Sequence, residues 1–308
     1  MDPVDIGLWG VPLAILAGAI RVSTPFLFVS LGECVTERSG RINLGLEGTL
    51  IFGAMSGYAV AFETGSPFIG VAAAALSGVI FGLFHGWICK FKGVNDIAIG
   101  IALMLLGTGL AYFFGKPYIQ PVAPKLPSIS LGGWSDVPQV QAALQVNVLF
   151  LLGAVLAVFL WWMFRSTRVG LVIRVVGDST DAARAMGINA DRVRLLSTAA
   201  GGALAGIAGA YLSLYYPGSW TEGVSSGQGL MAVALVIFAR WNPINCFWAA
   251  LLFGGAGALG PALQSVGVTE GYYLFFAAPY VLTLGLLIAT SSPERAMQGA
   301  PAELSITK

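Results

Sequence analysis

Residues 147–164 form an uninterrupted apolar run, NVLFLLGAVLAVFLWWMF, that contains no charged side chain. An α-helix rises about 1.5 Å per residue, so about 20 apolar residues are needed to cross a hydrocarbon layer about 30 Å thick. The run nearly reaches that length and has the required composition. It therefore predicts a transmembrane helix.

Nine stretches of the chain meet, or nearly meet, the length and composition needed for a transmembrane helix. They run approximately over residues 8–30, 43–62, 68–89, 95–115, 147–164, 195–214, 228–239, 245–261 and 272–290. The stretch 228–239 is short, so it either begins earlier or is partly re-entrant. Arg21 and Pro25 lie inside the first stretch, where a proline can break a helix. We therefore predict an all-α fold, a polytopic transmembrane helix bundle of about nine or ten spans, and a single domain over residues 1–308.

The overall composition agrees with a lipid environment. Hydrophobic residues make up 56% of the chain and charged residues 10%, against about 25% charged in a typical soluble domain. A soluble protein must cover its surface with polar side chains, whereas a surface in contact with membrane lipid needs none. The formal net charge is +1, which gives no reason to expect a nucleic-acid partner.

The basic residues are strongly biased toward one set of alternate loops. That set contains Arg38, Arg41, Lys90, Lys92, Arg165, Arg168, Arg174, Arg184, Arg192, Arg194, Arg240, Arg295 and Lys308, whereas the other contains Lys116 and Lys125. Loops rich in Lys and Arg remain in the cytoplasm. The bias predicts that loop 165–194 and the C-terminus are cytoplasmic. It places the proline-rich loop 116–144 outside, as an extended cap without a long helix.

Glycines repeat every four residues inside several predicted spans. Gly78 and Gly82 form one such pair, and Gly202 and Gly206 form another. Small residues at this spacing allow two membrane helices to approach closely. The pattern predicts a tightly packed bundle.

No arrangement of residues indicates catalysis or metal binding. The nearest approach to a phosphate-binding loop, Gly115-Lys116-Pro117, lacks the required first glycine and final Ser or Thr. The single histidine, His85, and the scattered Cys34, Cys89 and Cys246 give neither a zinc site nor a disulfide framework. We expect no catalytic residue, no metal and no cofactor in this chain, and we predict that it is not an enzyme.

Residues 177–187 predict one short helix within the basic loop 165–194. Asp178 or Ser179 can cap its N-terminus, and Gly187 suits a left-handed stop. Two turns of helix are not stable alone in water. The helix must therefore dock, either on the membrane domain of its own chain or in a groove of another subunit.

Two kinds of side chain lie on this predicted helix. Ala182, Ala183 and Met186 fall on one apolar face, and Asp181 and Arg184 lie off it. The apolar face is the surface expected to dock.

The entry to the second span carries polar residues. Asn43 and Glu47 are four residues apart and therefore share a helix face. A carboxylate inside an apolar run faces the bundle interior, where it either bonds a neighbouring helix or lines a solute route. Asn95 and Gln228 are further route candidates at span ends, with a helix cap or an interhelical hydrogen bond as the alternative.

Three stretches resemble the permeases of ABC importers for branched-chain amino acids, simple sugars and nucleosides. They are Gly32-Glu33 through Glu37-Arg38-Ser39-Gly40 to Asn43-Leu44-Gly45-Leu46-Glu47-Gly48; Gly177-Asp178 through Ala182-Ala183 to Gly187-Ile188, with Gly201 to Gly209; and Gly227-Gln228-Gly229, Ala232-Val233-Ala234 and Asn242-Pro243. The first is most similar to the nucleoside (guanosine-type) and simple-sugar branch. Met104 stands where relatives often have Asn, which leaves the substrate open.

The resemblance implies a role for the short helix. It would be the coupling helix, seated in a cleft of a cytoplasmic ATPase through Asp178, Asp181, Ala182, Ala183, Arg184, Met186 and Gly187. The ATPase, with two nucleotide-binding domains, would bind ATP and Mg²⁺. A second permease chain and an extracytoplasmic solute-binding protein are also implied, in a bacterial plasma (inner) membrane.

The function implied is import of a nucleoside, purine-type or simple-sugar solute into the cytoplasm. A separate ATPase subunit would drive this import. The alternative is a secondary transporter without an ATPase, which would need coupling-ion sites and often inverted repeats. Few intramembrane carboxylates and no clear repeat are present. A third alternative, a membrane scaffold or membrane enzyme, has no catalytic residue to support it.

Overall fold

The helices account for nearly all of the regular structure. The computed structural model describes residues 10–135, 140–141, 144–264, 275, 277–290 and 299–305. Its helices are α1 (Gly10–Arg38), α2 (Leu46–Thr64), α3 (Pro67–Ile88), α4 (Asp96–Gly115), α5 (Val148–Ser166), α6 (Arg168–Asp178), α7 (Thr180–Ala185), α8 (Ala190–Leu214), α9 (Gln228–Phe238), α10 (Pro243–Gln264), α11 (Ala278–Thr290) and α12 (Ala302–Ser305). The predicted all-α polytopic fold is confirmed.

Six of the described helices, namely α1, α3, α4, α5, α8 and α10, are long and apolar enough to cross a membrane. The helix α2 has 19 residues but carries Glu47 and Glu63, and α9 has only 11. The predicted span 272–290 begins outside the described residues, and α11 is its described part. Residues 8–9 of the first predicted span also lie outside them. A count of nine or ten spans stays a prediction.

The first helix is continuous, so Pro25 does not break it. Pro25 cannot donate to the carbonyl of Arg21, one turn earlier. The hydroxyl of Tyr211 in α8 donates to that carbonyl at 3.0 Å instead. The helix therefore continues to Arg38, beyond the predicted end at residue 30.

The central helix α8 packs through glycines. It runs antiparallel to α3, with Gly78 opposite Gly202 and Gly206 opposite Ala74. A methyl group added at Gly78 would overlap the carbonyl of Gly202, so the two backbones are in direct contact. We call Gly78, Gly82, Gly202 and Gly206 the glycine seam. The predicted close packing is confirmed.

One end of the bundle gathers the basic loops. Arg41 pairs with Asp96 at 2.6 Å across two of these loops, and the Nε of Arg38 donates to the carbonyl of Trp241 at 2.9 Å. We call this end, with segments 39–45, 89–95, 165–189 and 239–242, the basic face.

The proline-rich segment lies at the opposite end. It contains a 3₁₀ turn at Lys116–Tyr118 and a strand β1 (Ser128–Ser130) paired antiparallel with β2 (Gln145–Asn147). The hydroxyl of Tyr58 donates to the carbonyl of Pro121 at 2.8 Å, which ties the segment to α2. The segment contains no long helix in its described part; residues 136–139 and 142–143 of the predicted loop 116–144 lie outside it.

Candidate functional site

The helix α9 begins inside the bundle rather than at its surface. The indole N–H of Trp220 donates to the carbonyl of Gly115 at 2.9 Å, at the end of α4. Gly107, about 12 Å earlier along α4, lies against the first turn of α2. The N–H of Gly227 donates to a carboxylate in that same turn. The chain from Trp220 to Gly227 therefore descends about 12 Å into the bundle without forming a helix.

That carboxylate belongs to Glu47 and holds the start of α9. Its Oε1 accepts hydrogen bonds from the hydroxyl of Ser225 at 2.6 Å and from the N–H of Gly227 at 3.1 Å. Its Oε2 accepts from the N–H of Gly229 at 2.6 Å. A helix N-terminus has N–H groups without intrahelical partners and a partial positive charge, so a buried carboxylate is well placed there. Glu47 therefore bonds a neighbouring helix, which is one of its two predicted roles. Its place in a solute route stays a prediction.

Two buried side-chain oxygens in this region have no hydrogen-bond partner among the described residues. They are Oε1 of Gln228, the first residue of α9, and Oε2 of Glu33 in α1. The other oxygen of Glu33 accepts from the N–H of Asn43 at 2.7 Å. A buried acceptor without a partner costs about 1–3 kcal/mol. We call Glu33, Asn43, Glu47, Ser225 and Gln228 the polar junction.

The two asparagines predicted on the route lie in different places. Asn43 is buried, and its Oδ1 accepts from the N–H of Gly45 at 3.0 Å, just before α2. Asn95 is exposed at the basic face, where its Oδ1 accepts from the N–H groups of Ile97 and Ala98 at 2.9 and 3.1 Å. Asn95 is therefore the N-cap of α4, as the helix-cap alternative states. The structure brings Asn43, Glu47 and Gln228 together and leaves Asn95 apart.

Sequence reasoning gave no site role to two buried carboxylates, Glu33 of the junction and Glu37 one turn further along α1. Glu33 and Glu37 lie one turn apart on α1, and the indole N–H of Trp241 donates to Glu37. Both carboxylates were overlooked because the first span was predicted to end at residue 30. Their four-residue spacing in the run that continues from α1 was the signal that could have found them.

The short helix of the basic loop is shorter than predicted. The prediction of one helix over 177–187 is wrong, because Gly177 and Asp178 end α6 and only residues 180–185 form α7. Ser179 is the cap, since its Oγ accepts from the N–H of Ala182 at 3.2 Å. Most of the predicted loop 165–194 is therefore helical.

The C-terminal end of α7 agrees with the prediction. Gly187 has φ +75°. Its N–H donates to the carbonyl of Arg184, and the N–H of Ile188 donates to that of Ala183, both at 2.9 Å. These two bonds form a Schellman motif, which closes a helix with a left-handed glycine. The predicted left-handed stop is confirmed.

The predicted apolar face of α7 is divided between two surroundings. Ala183 is fully buried in a cluster with Val176 and Ala190 of the same chain, so it is not exposed to a partner. Ala182 is exposed, and Met186 is 58% exposed. Ala183 therefore packs on the chain's own domain, whereas the side chains of Ala182 and Met186 remain accessible to another molecule.

The charged residues of α7 and of the end of α6 lie at the surface. Asp181 and Arg184 approach to 3.8 Å, with side chains 96% and 62% exposed. Asp178, the last residue of α6, is also exposed. An ion pair this open to water adds little stability, so these charges are available to another molecule.

Arg194, in the first turns of α8, ties α7 to the rest of the basic face. Its guanidinium donates to the Oγ1 of Thr180 at 2.8 Å, to the carbonyl of Ser39 at 3.1 Å and to Glu303 at 3.3 Å. Glu303 also accepts from the N–H of Thr180 at 2.9 Å. We call Ser39, Thr180, Arg194 and Glu303 the clasp.

The clasp affects the ionisation of Glu303. Partial burial raises the pKa of this carboxyl, but hydrogen bonds from Thr180 and the charge of Arg194 outweigh it and hold the pKa below its ordinary value. The carboxylate is therefore the form that the folded protein favours.

No cluster of three or more His, Cys, Asp or Glu side chains suited to a metal ion occurs among the residues that the structure describes. Cys34, Cys89 and Cys246 are buried and form no disulfide. His85 is buried, with its Nε2 3.5 Å from the Sγ of Cys89. The expected lack of a cofactor stays a prediction.

A bundle of apolar helices with a discontinuous segment at its centre and a small exposed helix at one face is the architecture of a multi-pass membrane transport protein. Residues 15–290 match the family described as the branched-chain amino acid transport system permease component. The chain belongs to this family and is a permease of an ABC importer.

Similar proteins cover most of the chain. The "Putative glucose ABC transporter permease protein TsgC13" of Haloferax volcanii is 34% identical over 82% of this chain and 79% of its own. The nucleoside ABC transporter permease protein NupC of Lactococcus lactis is 29% identical over 89% and 90%. The guanosine ABC transporter permease protein NupQ of Bacillus subtilis is 29% identical over 92% of each. No solved structure matches the chain significantly.

Proposed function

We propose that this permease carries a nucleoside or purine-type solute into the cytoplasm, past the start of α9. The observation that carries the proposal is the polar junction, where Gln228 keeps a buried amide oxygen without a described partner. Nucleosides present hydroxyl and N–H donors that such acceptors bind. The names of NupC and NupQ support this substrate class.

A simple sugar is the second candidate, because TsgC13 is named for glucose. Sugars are also rich in hydroxyl donors, so the same acceptors suit them. Sugars lack the flat apolar base of a nucleoside. The two candidates therefore differ in how much apolar surface must be accommodated beside Asn43, Glu47 and Gln228.

The substrate is tested by uptake into cells that express the complete transporter. Labelled guanosine, glucose and leucine are supplied separately, and each is competed with the other two. We expect saturable guanosine uptake that leucine does not inhibit. Saturable leucine uptake without guanosine uptake would overturn the proposed substrate class, and glucose uptake alone would establish the second candidate.

The proposed partners follow from the family and from the basic face. A cytoplasmic ATPase subunit with two nucleotide-binding domains would bind ATP and Mg²⁺, and this chain would neither hydrolyse ATP nor catalyse another reaction. A second permease chain and an extracytoplasmic solute-binding protein would complete the importer. The concentration of Lys and Arg at the basic face supports a cytoplasmic position for that face and the C-terminus, in a bacterial plasma membrane.

The coupling role is assigned to α7 and its exposed residues. Ala182 and Met186 offer a small apolar surface, flanked by the charges of Asp181 and Arg184. Arg194 connects α7 to α8 and, through the carbonyl of Ser39, to the end of α1. Movement of α7 by the ATPase would therefore reach the helices that line the polar junction.

The charge-swapped variant D181R/R184D tests this role. The swap leaves the net charge unchanged, so membrane insertion is expected to remain normal. We expect uptake to be lost and co-purification of the ATPase to weaken, because both charges now face partner groups of the same sign. Glu63→Arg, an exposed change near the opposite end of the bundle, serves as the control. Uptake at the normal rate in the swapped variant would show that α7 does not couple.

A further inference from the structure

A cavity of about 510 Å³ opens at the basic face, between the end of α3 and the start of α8. It is lined by Trp87, Lys90, Phe91 and Lys92 on the α3 side and by Asp191 and Arg192 on the α8 side. None of these residues belongs to the polar junction or to the clasp. The cavity is thus separate from the features that serve transport in the preceding proposal.

The rim of the cavity is positively charged. Lys90, Lys92 and Arg192 face the single carboxylate of Asp191 among its charged lining residues, and all four side chains are exposed. Ammonium and guanidinium groups are the usual protein partners of phosphate. The rim therefore suits an anionic group that carries a phosphate.

The side of the cavity toward α3 is aromatic and continues along the outer surface of that helix. Trp87 and Phe91 are each 49% exposed, and their ring centroids are 5.5 Å apart. Phe84, 42% exposed, stacks on Trp87 at 6.3 Å. A soluble anion has no apolar part to bury against this surface, whereas the acyl chain of a lipid does.

The depth of the cavity fits the boundary between lipid and water. The apolar span of α3 ends at Ile88 and that of α8 begins at Ala190, so both spans terminate at the cavity. Trp at such a boundary is typical of the headgroup region. Basic pockets between membrane helices at the cytoplasmic side are known to suit anionic lipid headgroups.

We propose that this cavity binds one anionic phospholipid. Lys90, Lys92 and Arg192 hold its phosphate-bearing headgroup, and its acyl chain lies along Trp87 and Phe84. The residues from Asn189 to Arg192 follow directly on the turn that closes α7. A bound lipid thereby restrains the start of α8 beside the coupling helix, whichever solute the permease carries.

The test is lipid binding to the purified full-length chain, measured by native mass spectrometry. Phosphatidylglycerol and phosphatidylcholine are titrated separately, each with and without soluble glycerol 3-phosphate. We expect phosphatidylglycerol to bind at least about tenfold more tightly than phosphatidylcholine, because each cation near the surface contributes measurably to binding of an anionic lipid. K90Q/K92Q should remove most of that preference. R165Q/R168Q, which deletes two exposed charges at the same face, should retain it.

A second measurement does not depend on the variants folding. Photoreactive phosphatidylglycerol is crosslinked to the wild-type chain, and the modified peptides are mapped. Modification within residues 84–92 or 189–195 supports the site. Modification elsewhere, an unchanged lipid preference in folded K90Q/K92Q, or complete competition by an equal concentration of glycerol 3-phosphate would overturn the proposal, the last by showing an anion site without lipid specificity.

Discussion

Between α3 and α8 the helices meet through glycine backbones, whereas between α1, α2 and α9 they meet through hydrogen-bonding side chains. At the glycine seam, a carbonyl of one helix lies where a methyl group of the other would be. At the polar junction, the two oxygens of Glu47 accept three hydrogen bonds at the start of α9.

The difference separates a scaffold from a part that can rearrange. Direct backbone contact leaves little room for a side chain to change rotamer at the seam, so we expect this contact to stay fixed. At the junction the amide oxygen of Gln228 is buried without a partner among the described residues, and a new donor would therefore stabilise it. Solute or water can supply such a donor, which makes the junction the region where we expect conformational change.

The largest effect is expected from filling the glycine seam. Gly78→Ala would place a methyl group against the carbonyl of Gly202, and the overlap can be relieved only if two helix backbones separate. Overpacking of a buried contact costs about 1–3 kcal/mol, and here the upper part of that range is expected. The measurement is thermal unfolding of the purified chain in detergent.

Gly109→Ala is the matched control for this change. Gly109 lies in a helix of similar length, and nothing lies within 4 Å of the position that its methyl group would take. Alanine also favours the helix by up to about 1 kcal/mol. Equal melting temperatures for the two variants would contradict the proposed role of the seam.

An intermediate effect is expected from Glu47→Gln at the junction. The side-chain amide would turn its NH₂ group toward groups that now donate hydrogen bonds to the carboxylate. At least one buried N–H would then lack a partner, which costs about 1–3 kcal/mol. We expect the start of α9 to loosen and uptake to fall about tenfold, while the bundle itself stays folded. Hydrogen exchange of residues 225–231 and solute uptake are the two measurements.

Glu63→Gln, on the same helix but exposed, is the control for Glu47→Gln. It should leave both measurements unchanged. If exchange of residues 225–231 is as slow in Glu47→Gln as in the wild type, the carboxylate does not hold α9.

The smallest effect is expected from Glu303→Gln in the clasp. This carboxyl has a lowered pKa in the folded protein, so its ionised form adds stability above its ordinary pKa of about 4.3. That stability is lost as the pH falls through the lowered pKa. Because the pair with Arg194 is partly exposed to water, we expect a contribution below about 1 kcal/mol.

The measurement is the difference in melting temperature between the wild type and Glu303→Gln from pH 7 to pH 3.5. The difference should be small and positive at pH 7 and should shrink toward zero at the acidic end. Glu222→Gln, an exposed change away from the clasp, should show no such trend. A difference that grows on acidification would contradict the assigned ionisation.

Much of the fold follows from residue patterns, because the bilayer imposes length and composition on every crossing. The apolar run at 147–164 predicts α5 almost to the residue, and the spacing of Gly78 and Gly82 predicts their close contact. The contact that accompanies Pro25 in the continuous helix α1 could not be predicted. The carbonyl of Arg21, which Pro25 cannot reach, accepts a hydrogen bond from Tyr211, and the two residues are 190 positions apart in the sequence.

The candidate site was predicted less completely, because burial depends on how helices rotate against one another. Asn43, Glu47 and Gln228 were found from their positions at span ends, but the same reasoning also selected Asn95, which is a surface cap. For α7, periodicity placed Ala182 and Ala183 on one face, although only Ala183 packs on the chain's own core. Local patterns do not contain that distinction.

The bond from Tyr211 to α1 has a mechanical meaning. A proline removes one backbone hydrogen bond from a helix, and here a phenolic hydroxyl of α8 donates to the carbonyl that the proline cannot reach. Because the donor belongs to α8, displacement of α8 against α1 would break this bond at the level of Pro25. Bending of α1 would also disturb its packing on α10, where Gly254 lies against Ala19 and Ser23.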